Sequence, residues 1–242
     1  RQMCIRDRLM IICMAKMLES RFNKLDTFKS LIVPVLYVGF PILLVFMQPD
    51  LGTSLVYMAI FIGMLFISGI RLRLIRIIAT VGVFLMPLAW FILKDYQKKR
   101  ILVFMNPDID PFGSGYHIIQ SKIAIGSGTI FGKGLFNGTQ SQLNFLPENH
   151  TDFIFSVIGE ELGFIGCVIV LILLFMLIYR SIKVAYTCND RFGMLLATGI
   201  SSMLCFEVLV NAGMTMGIMP VTGIPLPFIS YGVSALTTNM IS

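Results

Sequence analysis

Charge is what this sequence lacks most. Asp, Glu, Lys and Arg make up 13% of the 242 residues, about half of the quarter that soluble globular chains carry. The hydrophobic share is 56% and the mean hydropathy +0.85, a balance that excludes an ordinary water-soluble enzyme. The five cysteines (Cys4, Cys13, Cys167, Cys188, Cys205) show neither metal-ligand spacing nor a disulfide framework, and three lie in apolar runs where a thiol behaves as a small hydrophobe. No Walker sequence is present, which argues against a nucleotide. Lys and Arg outnumber Asp and Glu by 19 to 13, but no basic stripe with interleaved aromatics accompanies the excess, so nucleic acid is not an expected partner. No signal peptide is visible. Residues 1–8 (RQMCIRDR) are polar and basic, match nothing around them, and are set aside as non-native or poorly defined.

What is there instead is a series of long apolar runs. A helix needs about 20 residues to cross roughly 30 Å of hydrocarbon. Leu31–Met47, Leu51–Ile70, Ile75–Leu93, Phe153–Tyr179 and Phe192–Val210 meet that requirement or approach it, Leu9–Leu18 reads as the tail of an earlier span, and Leu226–Ser242 as the beginning of a last one. The expectation is an all-α polytopic membrane protein with about seven spans, two of them partial. Residues 9–93 and 151–242 hold the spans, and residues 94–150 form one large loop. Arg21, Lys24 and Lys29, then Arg71, Arg73 and Arg76, then Arg180, Lys183 and Arg191 fall in alternate connections, while 48–50 and 216–225 carry no Lys or Arg. Basic short loops stay cytoplasmic, so the large loop is expected outside. Loops of that length are more often functional than slack.

The densest polar signal is Phe145–Leu162, FLPENHTDFIFSVIGEEL, with four carboxylates and a histidine at the entry to an apolar run. Ionisable groups cost about 2.5–3.5 kcal/mol each at the centre of a membrane helix, so they rarely sit there without a role. Glu160 and Glu161 read equally well as interfacial solvation or as the wall of an outward-open polar cavity. Asp152 is expected in the first helical turn, where the helix dipole favours its charge while Phe153 and Phe155 raise its pKa toward that of a general base. Glu207 falls in the outer half of the following span, with Asn211 one turn further on the same face. In the loop, GSGYHIIQSKIAIGSGTIFGKG offers glycine-freed amides beside Lys122 and Lys133, a combination suited to phosphate or pyrophosphate.

Four separated blocks in one order carry a resemblance: QPDLGTSL at Gln48–Leu55, DPFGSGYHIIQSKIAIGSG at Asp110–Gly128, LPENHTDFIFSVIGEELGFIG at Leu146–Gly166, and GIPLPFISYG at Gly223–Gly232. With this topology, the chain resembles the SEDS family of bacterial cell-wall proteins. The run NGTQSQLNFLPENHTDFIF is more similar to the elongation type, represented by RodA, than to the division type, FtsW. The resemblance implies a ten-helix fold, of which this chain keeps roughly helices four to ten, in the bacterial cytoplasmic membrane. It implies a peptidoglycan glycosyltransferase that polymerises lipid II beside a class B penicillin-binding protein transpeptidase and other elongation-complex proteins. Asp152 would then be the catalytic base, Arg100 and Lys122 would meet the departing pyrophosphate, and Gln120, Glu148 and His150 would line the site, with Glu160 and Glu161 as further substrate contacts. No cofactor is implied, although a divalent cation, Mg or Mn, is compatible with the chemistry. Two departures stand out: the family's Gln-Pro-Ser-Glu segment is absent from the N-terminal part, and Val233 replaces the glycine expected after Ser-Tyr-Gly. Competing readings are a lipid II flippase, which needs polar groups toward both faces, and a non-catalytic scaffold for the penicillin-binding protein.

Overall fold

The structure, a computed structural model, describes residues 3–22, 28–48, 50–71, 73–74, 76–77, 80, 84, 91, 94–110, 113–143, 145 and 150–231. All regular structure among them is helical: α1 (Met3–Glu19), α2 (Phe28–Met47), α3 (Leu51–Ile67), α4 (Asp95–Met105), a 3-10 turn (Pro107–Ile109), α5 (Ser114–Ser127), α6 (Thr139–Gln142), α7 (Ile154–Thr187) and α8 (Arg191–Thr215). The chain forms two compact units, Gln2–Asp95 with Tyr179–Leu204, and Tyr96–Ile178 with Cys205–Ser242.

Among the described residues three helices are long and apolar enough to cross a membrane, namely Ser30–Met47 within α2, then α7 and α8; α3 is a shorter apolar helix. The span expected at 75–93 lies largely outside the described residues. Leu226 does not open a helix: Leu226–Ser230 is a turn closed by Ser230 N donating to Leu226 O at 3.0 Å. Residues 232–242 lie outside the described set. Helix α1 begins at Met3, so the described part of the polar N-terminal stretch is helical.

In the first unit, small residues set the packing. Gly63 of α3 meets Ser202 of α8 so closely that a Cβ there would collide with the hydroxyl, and Gly199 of α8 faces Ile11 of α1 and Met64 of α3. Such small-residue contacts let membrane helices approach where no hydrophobic effect drives them together. Ile11, Met14, Leu18, Ile60, Met64 and Leu195 are fully buried around them. Helix α2 runs through Pro34 and Pro41, which neighbouring helices make tolerable within a membrane. The start of α3 explains its sequence block. Asp50 caps the helix, its carboxylate accepting from Thr53 N at 3.1 Å and from Thr53 Oγ1 at 2.7 Å.

The second unit holds the large loop. Lys99 pairs with Asp110 at 3.0 Å, tying α4 to the segment before α5. The principal departure from the expected single helix lies in α7, where Gly163 takes φ +67° and ψ −164° and interrupts the ladder. Interruption frees carbonyls before the glycine and amides after it. The loop takes up two of each. Lys133 N and Gly134 N donate to Glu160 O and Glu161 O, each at 3.0 Å, while Phe164 N and Ile165 N donate to Thr129 O at 3.0 Å and Ile130 O at 3.2 Å. Residues 129–134 are thereby spliced into the helix. Gly132 (φ +81°) and Gly163 are required there because a Cβ on either would strike the opposing backbone.

Candidate active site

Asp152 does not sit in the first turn of α7 as expected. It occupies a turn, Thr151–Phe153, that precedes the helix. Phe153 and Phe155 are buried and fix that turn in the core, and Asp152 itself is half-buried. Its backbone is held from α8: Asn211, fully buried, donates through Nδ2 to Asp152 O at 2.9 Å and to Ile224 O at 2.8 Å. The turn and the 223–231 segment are joined further by Ser230 Oγ donating to Thr151 O at 2.7 Å and Tyr231 N donating to His150 O at 2.8 Å. Ser230 also closes its own turn by accepting from Leu226 N at 2.7 Å. The carboxylate lies over Gly223, where a Cβ would come within 3.2 Å of Asp152 Oδ2.

Helix α5 is fastened to the same place. Ser121 Oγ lies 2.6 Å from Ser156 Oγ on α7 and donates to Thr215 O at the end of α8 at 2.7 Å, all three residues being buried. One residue on, the exposed Lys122 lays its chain along Gly217, whose φ of +70° and missing side chain leave it room. One turn earlier, His117 packs its ring against Phe153 with centroids 6.2 Å apart. Burial pushes the His117 imidazole below its usual pKa, and Asp110 partly offsets this. Asp152, Lys122 and His117 are thus brought to one locality by α5, the start of α7, the end of α8 and the 223–231 segment.

The other expected site residues divide. Gln120 is half-buried on α5, His150 is exposed beside Asp152, and Arg100 is half-buried on α4. Glu148 lies outside the described residues. Glu161 is half-buried and contributes its carbonyl to the splice with Gly134. Glu160, expected as a substrate contact, is instead fully buried with both carboxylate oxygens occupied inside the fold. Oε1 accepts from Lys133 Nζ at 2.9 Å, Thr139 Oγ1 at 3.1 Å and Gln140 N at 3.0 Å, while Oε2 accepts from Ser141 N at 3.1 Å. The expected phosphate cradle changes meaning for the same reason. The amides of Gly132, Lys133 and Gly134 are bound to Gly128 O, Glu160 O and Glu161 O, and Lys133 is bound to Glu160, so this glycine stretch builds the fold rather than presenting donors. Among the described residues no three His, Cys, Asp or Glu side chains group closely enough to hold a metal ion.

The family model described as "Cell cycle protein", FtsW/RodA/SpoVE, matches residues 7–242. The chain belongs to the FtsW/RodA/SpoVE family. Among curated relatives it is similar to peptidoglycan glycosyltransferase MrdB of Escherichia coli K12, 48% identical over 86% of this chain and 56% of the relative. It is also similar to stage V sporulation protein E of Bacillus subtilis 168, 41% identical over 96% and 63%. Peptidoglycan glycosyltransferase RodA of Treponema pallidum is 37% identical over 84% and 63%. Among solved structures it resembles a chain of a peptidoglycan synthase complex that coordinates polymerization and crosslinking, with TM-score 0.77 and 32% identity over 96% of this chain and 64% of that one. The rod shape determining protein RodA of Thermus thermophilus gives TM-score 0.65 at 29% identity over 99% and 62%. The chain therefore spans somewhat over half the length of these family members.

Several residues that shape the site carried little signal in sequence. The residue types of Ser121, Ser156 and Thr215 do not name the partners that these residues take in the fold. Asn211 was marked by its spacing from Glu207, but its partners, the carbonyls of Asp152 and Ile224, are 59 and 13 residues away.

Proposed function

We propose that the intact family member to which this chain belongs polymerises lipid II into glycan strands at the outer face of the bacterial cytoplasmic membrane, with Asp152 as general base. The observation that carries the reading is the Asp152 carboxylate, half-buried over Gly223 on a turn whose backbone is held from α8 and from the 223–231 segment. Asp152 accepts the proton of the acceptor sugar's 4-hydroxyl as that oxygen bonds to the donor's anomeric carbon. The bond from that carbon to the pyrophosphate breaks, and undecaprenyl pyrophosphate departs with the electron pair. Positioned proton acceptors contribute about 10²–10⁴-fold to such steps. Lys122, exposed on α5 in the same locality, supplies positive charge for the leaving pyrophosphate. Arg100 on α4 is assigned the same role, and Gln120, His150 and Glu148 line the acceptor side. Glu161 is assigned to substrate contact, whereas Glu160 serves the site indirectly by holding the loop.

The names of the relatives support the activity, and the likeness to a chain of a synthase complex supports a crosslinking partner of the class B penicillin-binding type. Basic residues at Arg180, Lys183 and Arg191 support a cytoplasmic location for that end of α7 and an external one for Asp152. The test is polymerisation of purified lipid II by the full-length protein with its transpeptidase, comparing wild type with Asp152→Asn. The expected result is polymer from wild type and a loss of about 10²-fold or more in the variant at equal expression and partner binding. Equal polymer from both removes Asp152 from the chemistry, and none from either shifts weight to the flippase or scaffold reading.

A further inference from the structure

The loop spliced into α7 ends in an apolar tip that none of the described residues covers. Ile130, Phe131, Leu135 and Phe136 are 59%, 80%, 63% and 78% exposed. Phe136 also holds φ +62°, a left-handed conformation that costs a residue with a Cβ energy and that folding here does not repay by burying the ring. Strain spent on exposing an aromatic ring calls for an occupant outside the chain.

Three observations identify that occupant as lipid. The first is depth. Thr129 O and Ile130 O are bonded to Phe164 N and Ile165 N, so the tip has a fixed height along α7. Ile165 lies 15 residues before Arg180, about 22 Å along a helix axis, within the roughly 30 Å of hydrocarbon measured from the basic end. The second is continuity. Phe164, Ile165 and Ile169, on the span itself, are 66%, 42% and 52% exposed, so exposed apolar side chains lie on the span at the height where the tip is bonded to it. The third is the accounting of polar groups. Irregular backbone is tolerated at membrane depth only where its N–H and C=O groups are satisfied by protein. Here the amides of Thr129, Gly132, Lys133 and Gly134 and the carbonyls of Thr129, Ile130 and Gly134 all have backbone partners. No acidic residue occurs from 129 to 143, and the one basic side chain, Lys133, is paired with buried Glu160 at 2.9 Å.

We propose that residues 129–136 form a membrane-inserted tip, with Ile130, Phe131, Leu135 and Phe136 in the lipid at the boundary between headgroups and acyl chains. Aromatic and aliphatic side chains favour that boundary, where headgroups and water still reach the backbone groups that the protein leaves open. The tip then seats the whole spliced loop against the leaflet in which a lipid-linked substrate would travel. This inference needs α7 to cross the membrane and is independent of the polymerisation reading.

The test replaces Phe131, Phe136 and, as a mid-span reference, Phe175 one at a time with p-benzoylphenylalanine in the full-length protein in native membranes, followed by irradiation and mass analysis. Only protein that co-elutes with the unsubstituted form is scored. The expected result is phospholipid mass added at 131 and 136 in yields comparable with 175. Adducts to another protein at 131 or 136 would assign the tip to a partner. Absence of adducts at both, with lipid adducts at 175, would place it in water. Either outcome overturns the proposal.

Discussion

At Gly223 the backbone φ is +75°, and the empty side-chain position faces Asp152 Oδ2. A methyl group there adds left-handed strain of roughly 1–2 kcal/mol and presses on the carboxylate at 3.2 Å. Gly223→Ala should therefore lower the polymerisation kcat far more than the melting temperature, which parallel turnover and thermal-unfolding measurements would check. His117 makes a second prediction at this scale. Burial lowers its folded-state pKa below the usual 6.5, so the folded form prefers the neutral ring. Above the unfolded pKa both states are neutral and the group costs nothing. As pH falls below it the unfolded chain takes up the proton first, so stability drops until folded His117 also titrates. His117→Gln should remove this part of the acid loss, read as a flatter dependence of melting temperature on pH as it falls through and below the ordinary histidine range. An unchanged slope would show that other groups govern it.

Helix α7 shows how an element can be completed by a distant segment. Its ladder is broken at Gly163, and four of the backbone groups beside the break are bonded by residues 129–134, with Glu160 adding a carboxylate bound by four donors from the same loop. The hydrophobic run across Gly163 gives no sign of the break, because side-chain periodicity does not register which carbonyl an amide reaches. The glycines were visible in the sequence, but their meaning depended on what lay opposite them. Gly163→Ala should disrupt the splice, since its Cβ would meet Gly132 N and Ile130 O. Hydrogen exchange is the measurement: the amides of Lys133, Gly134, Phe164 and Ile165 should lose protection together, while those in the middle of α7 keep theirs. Independent loss at only one of the two segments would mean that the splice is not a unit.

For the whole molecule, the apolar runs fixed the class of protein, and the alternation of Lys and Arg among short connections gave an orientation. Helices α2, α7 and α8 coincide with three of the expected spans, and α3 with the core of a fourth, because a run that is apolar on all sides has no stable alternative in a bilayer to hydrogen-bonding its own backbone. The orientation predicts opposite accessibility at the two ends of α7. A cysteine replacing exposed His150 should react with an impermeant maleimide in spheroplasts, and one replacing Lys183 only after lysis. The reverse pattern would put Asp152 on the cytoplasmic side and end the proposed polymerisation at the outer face.

The sequence by itself determined the membrane class, the spans at α2, α7 and α8, and the family, since composition, run length and contiguous motifs are local properties. Only the tertiary structure decided what the polar groups do. Glu160 and Glu161 are neighbours in the chain, yet Glu160 is buried and anchors a loop while Glu161 keeps its side chain half-exposed. Asn211, Ser230 and Gly223 acquire their roles from contacts with residues 150–152. The physical reason is that a buried hydrogen bond is defined by its partner, and here the partners are brought together only when the helices pack.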